Sequence, residues 1–184
     1  YGIKITKNLN WNGNLTLSEN KIVSHDEFID NWDNWDKDSI HYENTDISFS
    51  PNIIAKSEIN YNIKNLNASW IFKHIGKQYI DNSESADRIL DAYSVNNLLF
   101  SYSLKFKNVK NAKISLKVNN LLNNSYSNRA WVYRFISPNV DSNPDWEDLV
   151  GSDPYVNADS DGYNMIGYFP QSTRNYMLGI TLGL

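Results

Sequence analysis

The C-terminal stretch Asn175-Tyr-Met-Leu-Gly-Ile-Thr-Leu-Gly-Leu184 alternates large apolar residues with small or polar ones. Successive side chains of a β-strand point to opposite faces, so this alternation predicts a strand with one apolar and one polar face. The same pattern recurs in five further segments, which are 11–18, 53–63, 66–73, 95–106 and 113–119. With a shorter strand at residues 1–5, the sequence predicts an all-β chain of about six and a half strands.

The connections between these predicted strands alternate in length. Residues 6–8, 64–65 and 108–111 are short and rich in Asn, as hairpin turns are. The other connections, roughly 25–46, 82–90 and 136–165, are long. An antiparallel up-and-down meander with short turns at one end and long loops at the other is typical of outer-membrane β-barrels. The alternative that the pattern leaves open is a soluble carbohydrate-binding β-sandwich, whose strands also have one apolar face.

Composition narrows the classes of function. The chain has 184 residues, no Cys and 14 % aromatic residues, which excludes disulfide scaffolds, thiol nucleophiles and Cys-ligated metals and argues against disorder. Eight acidic residues lie between positions 25 and 46, and seven between 137 and 162, leaving six acidic against 16 basic residues elsewhere. The chain therefore combines a basic scaffold with two acidic loops. Because those loops are negative, nucleic acid is not an expected partner.

The number of predicted strands is too small for a closed barrel. Bacterial single-chain barrels have an even number of strands, from eight upward, and a sheet edge left unpaired in hydrocarbon is costly. We therefore expect additional strands from elsewhere in a larger barrel. The chain begins at Tyr1 without a basic and apolar leader, so we expect that an export signal was cleaved or lies upstream.

Several further segments, spread over nearly the whole chain, form a recognisable set. They are Phe49-Ser-Pro-Asn-Ile-Ile-Ala55, Gly76-Lys-Gln-Tyr-Ile-Asp-Asn82 continued by Leu90-Asp-Ala-Tyr-Ser-Val-Asn-Asn97, Val118-Asn-Asn-Leu-Leu-Asn-Asn-Ser-Tyr126, Arg129-Ala-Trp-Val-Tyr133, and Gly167-Tyr-Phe-Pro-Gln171 with the C-terminal strand. Taken together and in this order, these segments resemble TonB-dependent outer-membrane receptors, especially those of Bacteroidota.

The resemblance implies that residues 1–184 are the C-terminal portion of a 22-stranded transmembrane β-barrel, with 172–184 as its last strand. It implies an outer-membrane transporter of a Gram-negative bacterium that imports a scarce nutrient, such as an iron chelate, haem, cobalamin, a glycan or a peptide. The implied partners are the remaining barrel strands and plug, the TonB complex, outer-membrane lipid and, as a further candidate, a surface lipoprotein. One departure is that the chain ends in Leu184, where the family usually has an aromatic residue.

Aromatic residues of the long loops are the candidate substrate-binding residues, because flat amphipathic rings stack on sugars, porphyrin-like rings or siderophore arenes. Their acidic neighbours would attract cationic or metal-bearing ligands. The alternative is that these rings pack the loops together or form the outer girdle. The candidates are Trp32, Trp35, Tyr42, Trp131, Tyr133, Trp146, Tyr163 and Tyr168. The lysines expected to face the lumen are Lys56, Lys73, Lys105, Lys113 and Lys117.

No catalytic site or cofactor is expected. His25, His41 and His74 lie on separate segments without metal-ligand spacing, and no nucleophile-elbow or phosphate-binding motif is present. The segment Asn157-Ala-Asp-Ser-Asp-Gly162 resembles the start of a calcium-binding loop, with ligands at Asn157, Asp159 and Asp161. Position 12 of that loop is Tyr168 instead of the bidentate Glu, so a solvated acidic turn is the favoured interpretation.

Overall fold

The computed structural model describes residues 1–106, 109–141, 152–159 and 162–183. The described residues form an all-β, mostly antiparallel structure with one four-residue helical turn, α1 (Pro138–Asp141). The strands are β1 (Gly2–Lys4), β2 (Leu9–Leu17), β3 (Lys21–Asn31), β4 (Asp36–Asp46), β5 (Ile53–Ile63), β6 (Leu66–Ile75), β7 (Gln78–Tyr79), β8 (Ile89–Leu90), β9 (Tyr93–Phe106), β10 (Val109–Asn119), β11 (Ser127–Ile136), β12 (Val156–Asp159), β13 (Gly162–Pro170) and β14 (Asn175–Gly183). None of the described helical segments has the length and apolarity needed to cross a membrane.

Seven strands form the largest sheet, called here the wall sheet. Its order is β1-β2-β5-β6-β9-β10-β14, and every neighbouring pair is antiparallel. These seven strands confirm the six predicted strands and the shorter N-terminal one. The short connections at 5–8 and 64–65 also confirm the predicted turns, whereas 107–108 lie outside the described residues. The wall sheet is open, since in the described residues β1 and β14 each have one neighbouring strand.

The register of the wall sheet collects its apolar residues on one face. Residues that are directly opposite each other on neighbouring strands project to the same face. One row crosses six strands through Leu178, Leu116, Phe100, Ala68, Tyr61 and Leu9. A neighbouring row contains Ile180, Ile114, Tyr102, Leu66 and Ile63. The alternation within single strands thus becomes a continuous apolar face across the sheet.

The opposite face of the wall sheet is polar. Lys113 is opposite Thr181, and Lys117 is opposite Met177, on the face that the apolar rows do not occupy. Lys56 and Lys73 are directly opposite each other, and Lys56 Nζ lies 2.8 Å from Glu58 Oε2. Ser103 of β9 is opposite Lys113 and therefore lies on the polar face. Lys105 lies on the same face, because it is two residues after Ser103. The five lysines therefore lie on one face of the wall sheet, and that this face borders a lumen stays a prediction.

No second layer covers the apolar face of the wall sheet in the part of the chain that the structure describes. Leu178, for example, is 73 % exposed. Among the described residues, the two clusters of buried apolar side chains lie outside this sheet, around Leu90 with Ala130 and around Phe135 with Tyr163. In a β-sandwich, the apolar face would instead interdigitate with a facing sheet.

Two of the long connections, predicted to be loops, form a second sheet, called here the loop sheet. Its order is β12-β13-β11-β3-β4. β3 and β4 form an antiparallel hairpin, and β11 pairs with β13 antiparallel and with β3 parallel at Phe135–Asp30 and Ile136–Asn31. The prediction of loops at 25–46 and 136–165 was wrong for most of their described residues. Charged residues in these strands, such as Glu27 and Arg134, are paired with each other instead of marking a solvated loop.

The connection that contains 82–90 is closed by a short hairpin of β7 and β8. Arg88 is fully buried there, and its Nε donates a hydrogen bond of 2.7 Å to Asp81 Oδ2. Its Nη2 donates to Ser83 Oγ at 2.6 Å. Ile80 and Leu90 of this hairpin pack against Ala130 of the loop sheet. The hairpin therefore supports one face of β11.

Candidate functional site

A tight turn joins β3 to β4 and projects Trp35 into solvent. The Trp35 N–H donates a hydrogen bond of 2.9 Å to the Asn31 carbonyl, and Trp35 has a φ of 61°. A bulky residue in this left-handed region is conformationally costly. Its side chain is nevertheless 88 % exposed. Strained backbone conformations cluster at functional sites, and this strain at an exposed indole makes Trp35 a candidate for binding.

The turn is anchored to the end of β11. The Trp32 N–H donates to the Ile136 carbonyl at 3.0 Å. The Asp33 carboxylate accepts hydrogen bonds of 2.7 Å from both Ser137 Oγ and the Asn139 N–H. These bonds join two segments that are about a hundred residues apart in the sequence. The turn is therefore held in place on the loop sheet.

An aromatic cleft lies beside this turn, with a volume of about 450 Å³. The name refers to the space lined by Asp30, Asn31, Trp32, Trp35, Asp36, Lys37 and Tyr133. The Trp32 Nε1–H donates to Tyr133 Oη at 3.1 Å, and the Tyr133 hydroxyl donates to Asp30 Oδ2 at 2.8 Å. A phenol with the ordinary pKa of about 10 is a hydrogen-bond donor at neutral pH. Burial raises the pKa of the Tyr133 phenol further. The chain of bonds orients both rings.

A stack of aromatic rings leads from Trp32 of the cleft into the core of the loop sheet. Trp32 stacks on Phe135 with 3.9 Å between ring centroids, and Phe135 lies 5.3 Å from Tyr163. Phe135 is only 1 % exposed, and Tyr163 is also buried. Of the predicted binding residues, Trp32, Trp35 and Tyr133 thus meet at one cleft, whereas Tyr163 belongs to the core beneath it. Phe135 was not among the predicted residues, although the alternation of 129–136 is a signal that would have identified it.

The other predicted aromatic residues lie apart from the cleft. Trp131 shares the Tyr133 face of β11 but lies over Gly167 of the neighbouring strand, where a Cβ atom would come within about 2.0 Å of the indole Nε1. Tyr42 stacks on His25 at 5.3 Å between centroids and accepts a hydrogen bond from Arg134. Tyr168 is half-exposed and lines a different cavity beside Leu90. Trp146 lies outside the described residues.

A buried ion pair joins β3 to β11 within the loop sheet. The Arg134 guanidinium, almost fully buried, donates to Glu27 Oε2 and at 3.2 Å to Tyr42 Oη. Buried charges of this kind require a partner, because removing one leaves the other uncompensated. Neither residue was predicted to matter, since the pair joins positions 107 residues apart.

The predicted metal and histidine candidates remain dispersed. Asn157 and Asp159 lie on β12, an extended strand paired with β13, rather than in a loop curved around an ion, and Asp161 lies outside the described residues. His41 Nδ1 is 2.6 Å from Asp26 Oδ1, and His74 Nδ1 is 2.9 Å from Ser94 Oγ. Among the described residues, no group of three or more His, Asp or Glu side chains is arranged to hold a metal ion.

Comparisons with known proteins bear on the fold. No protein family model matches the chain, and no curated protein matches it. Among solved structures, the chain is similar to the ferric yersiniabactin uptake receptor FyuA from Yersinia pestis, with 12 % sequence identity and a TM-score of 0.51. The match covers 97 % of this chain and 21 % of that receptor, so the chain spans about a fifth of its length. At this identity, the similarity shows a shared fold.

Proposed function

We propose that residues 1–184 form the C-terminal part of the β-barrel of a TonB-dependent transporter in the outer membrane of a Gram-negative bacterium, of the Bacteroidota type. Further strands that complete 22, the plug and the TonB-contacting segment belong to other parts of the same protein. The transporter imports a scarce nutrient, such as an iron chelate, haem, cobalamin, a glycan or a peptide. This part of the protein carries no catalytic role and binds no cofactor.

The observation that carries the proposal is the uncovered apolar face of the wall sheet. Each 100 Å² of apolar surface left in water forgoes roughly 2.5 kcal/mol, so a face this wide is stable only against an apolar environment. The lipid-facing side of a transmembrane barrel provides that environment, and its strands alternate apolar and polar residues in this way. The lysine-bearing face is suited to a hydrated lumen.

The two edge strands fit the larger barrel of this proposal. In hydrocarbon, backbone N–H and C=O groups without hydrogen bonds cost several kcal/mol each. A wall sheet that borders lipid therefore requires partner strands for β1 and for β14. The same protein supplies these strands in a single-chain barrel. The similarity to an uptake receptor agrees with this arrangement.

Extraction of the full-length protein from cells that express it tests the location. Outer membranes are washed with high salt, then with alkaline carbonate, and finally with detergent. We expect the protein to remain with the membrane until detergent is added. Release by salt would contradict the proposal and favour the soluble carbohydrate-binding alternative.

Uptake measurements test the transport step. Cells that lack the protein are compared with complemented cells during growth on limiting amounts of each nutrient class named above. We expect uptake of one nutrient class to require the protein. Inactivation of TonB should abolish that uptake, so that complemented cells no longer differ from cells that lack the protein. Protein-dependent uptake that is equal with and without TonB would contradict the proposal.

A further inference from the structure

We propose that the aromatic cleft binds the cationic group of an organic ligand, an amine or a guanidinium. The inference rests on the proposed function to the extent that this ligand is the cargo of the transporter. The inference narrows the nutrients that aromatic, acidic loops could accept to those with an amine or guanidinium group. Ligands whose binding groups are anionic, such as phosphates or catecholate complexes, are excluded from this cleft.

The size of the cleft suits part of a small organic molecule. Its volume of about 450 Å³ lies within the range of roughly 300–1,000 Å³ for small-molecule sites. The cleft is also anchored, because the turn that carries Trp35 is bound to β11 through Trp32 and Asp33. An anchored site loses less conformational entropy when a ligand binds.

The aromatic rings of the cleft offer faces to a cation. Trp is the best of the aromatic side chains for cation–π contacts, and Trp35 presents its indole to solvent despite a strained backbone. Tyr133 contributes a second ring, oriented by its bonds to Trp32 and Asp30. A ligand cation between these rings would bury apolar surface that the free protein leaves exposed.

The charges around the cleft favour a cation over an anion. Asp30 and Asp36 line it, with Asp33 and Asp38 on the same turn and strand. Within the described residues, Asp33, Asp36 and Asp38 form no salt bridge, and Asp33 and Asp38 accept hydrogen bonds only from neutral donors. Their negative charge is therefore not compensated locally, and a cationic ligand would compensate it.

In the free protein, the Lys37 ammonium group lies near Asp30, where we expect the cationic group of the ligand to bind. Lys37 Nζ lies 4.0 Å from Asp30 Oδ1, and the Lys37 side chain is largely exposed. Exposed pairs at this distance are weak and are easily exchanged. A ligand amine that reaches Asp30 would displace Lys37, so Lys37 competes with a cationic ligand. It would assist an anionic ligand, and the sign of its effect therefore separates the two classes.

Binding to the detergent-extracted full-length protein tests the inference. The probes are tetralysine, the same peptide with every amine acetylated, and tetraglutamate, each titrated by calorimetry at low ionic strength. We expect tetralysine to bind roughly tenfold or more tightly than the acetylated peptide and to weaken as salt is added. Tetraglutamate is expected to bind more weakly than either peptide.

Variants assign the effect to the cleft. Trp35→Ala and Asp36→Asn should each weaken tetralysine binding roughly threefold or more, because they remove a ring face or a charge. Lys37→Gln should strengthen it. Glu19→Gln, which removes one negative charge outside the cleft, is the matched control and should leave binding unchanged. Circular dichroism checks that each variant is folded.

Three results would overturn the inference: equal binding of the acetylated peptide, tighter binding of tetraglutamate, or weaker tetralysine binding in Lys37→Gln. Failure of the inference remains distinguishable from failure of the proposed function. A protein that stays in the membrane until detergent is added but ignores tetralysine contradicts only the inference. A protein that salt releases and that still binds tetralysine at the cleft contradicts only the membrane location.

Discussion

The wall sheet and the loop sheet are stabilised in different ways, although both are built from strands of similar length. In the wall sheet, large apolar side chains such as Leu178 and Ile180 are exposed and the hydrogen-bond ladder is its main internal support. In the loop sheet, Ile29, Phe135 and Tyr163 are buried, and Arg134 pairs with Glu27. The loop sheet therefore carries its own core, whereas the wall sheet depends on its surroundings.

Loss of the Phe135 ring should produce the largest effect and should be confined to the loop sheet. Phe135 is 1 % exposed and contacts both Trp32 and Tyr163, so Phe135→Ala leaves a cavity that costs about 3–5 kcal/mol. We expect amide hydrogen exchange of β11 and β13 to accelerate strongly, while the wall strands keep their protection. The measurement is hydrogen exchange of the full-length protein in detergent or lipid.

Phe28→Ala is the matched control, because Phe28 is 68 % exposed and lies on β3 of the same sheet. The amide hydrogen-exchange rates of the Phe28→Ala variant should remain close to those of the original protein. Equal acceleration of β10 and β14 in Phe135→Ala would contradict the separation of the two sheets.

A charge on the apolar face of the wall sheet should have the next largest effect. Ile180 belongs to the apolar row, whereas its neighbour Thr181 lies on the polar face opposite Lys113. Ile180→Lys should cost about 2–4 kcal/mol if this face borders lipid at the bilayer midplane. Thr181→Lys should cost much less. Denaturant unfolding of the full-length protein in phospholipid vesicles measures both, and equal penalties would contradict the lipid-facing assignment of the apolar rows.

The strands of the wall sheet could be predicted because their signal is local. Tyr176, Leu178, Ile180 and Leu182 alternate within one strand, and no information from other parts of the chain is needed to assign their face. The register then follows, since a shift by one residue would move the whole apolar set to the wrong face. The hairpin turn at 64–65 limits the register further.

The loop sheet could not be predicted in the same way because its stabilising contacts are distant in sequence. Asp33 is bound by Ser137, 104 residues away, and Glu27 by Arg134, 107 residues away. A dense series of acidic residues indicates a solvated loop when such partners are unknown. The aromatic candidates were recognised as a group, but which of them meet depends on the parallel pairing of β3 with β11. That pairing has no signature within either strand.

A smaller effect is expected where Trp131 lies across Gly167 in the loop sheet. A Cβ atom at position 167 would overlap the indole, so Gly167→Ala should cost about 1–3 kcal/mol as the ring is displaced. Trp131→Ala removes the obstacle. The double variant should therefore lose less stability than the sum of the two single variants, as measured by hydrogen exchange of β11 and β13. Strict additivity would show that the ring and the glycine do not depend on each other.

The smallest expected effect concerns His41, on the exposed edge strand of the loop sheet. The hydrogen bond with Asp26, helped by Glu43, raises the pKa of His41 above its ordinary value. Because the folded state binds the proton more tightly, the stabilisation is complete below about pH 6.5, the value of an unfolded chain, and disappears as pH rises through the folded-state pKa.

Nuclear magnetic resonance titration of the His41 ring tests this effect. Asp26→Asn should return the pKa of His41 toward its ordinary value. Glu43→Gln should lower the pKa of His41 by a smaller amount, since Glu43 Oε1 lies 3.6 Å from the ring nitrogen Nε2, whereas Asp26 Oδ1 lies 2.6 Å from Nδ1. An unchanged His41 pKa in Asp26→Asn would mean that this exposed pair does not form in solution. The loop sheet would then depend on its buried core and on the Glu27–Arg134 pair but not on this edge pair, and the wall sheet has neither of those internal supports in the described residues.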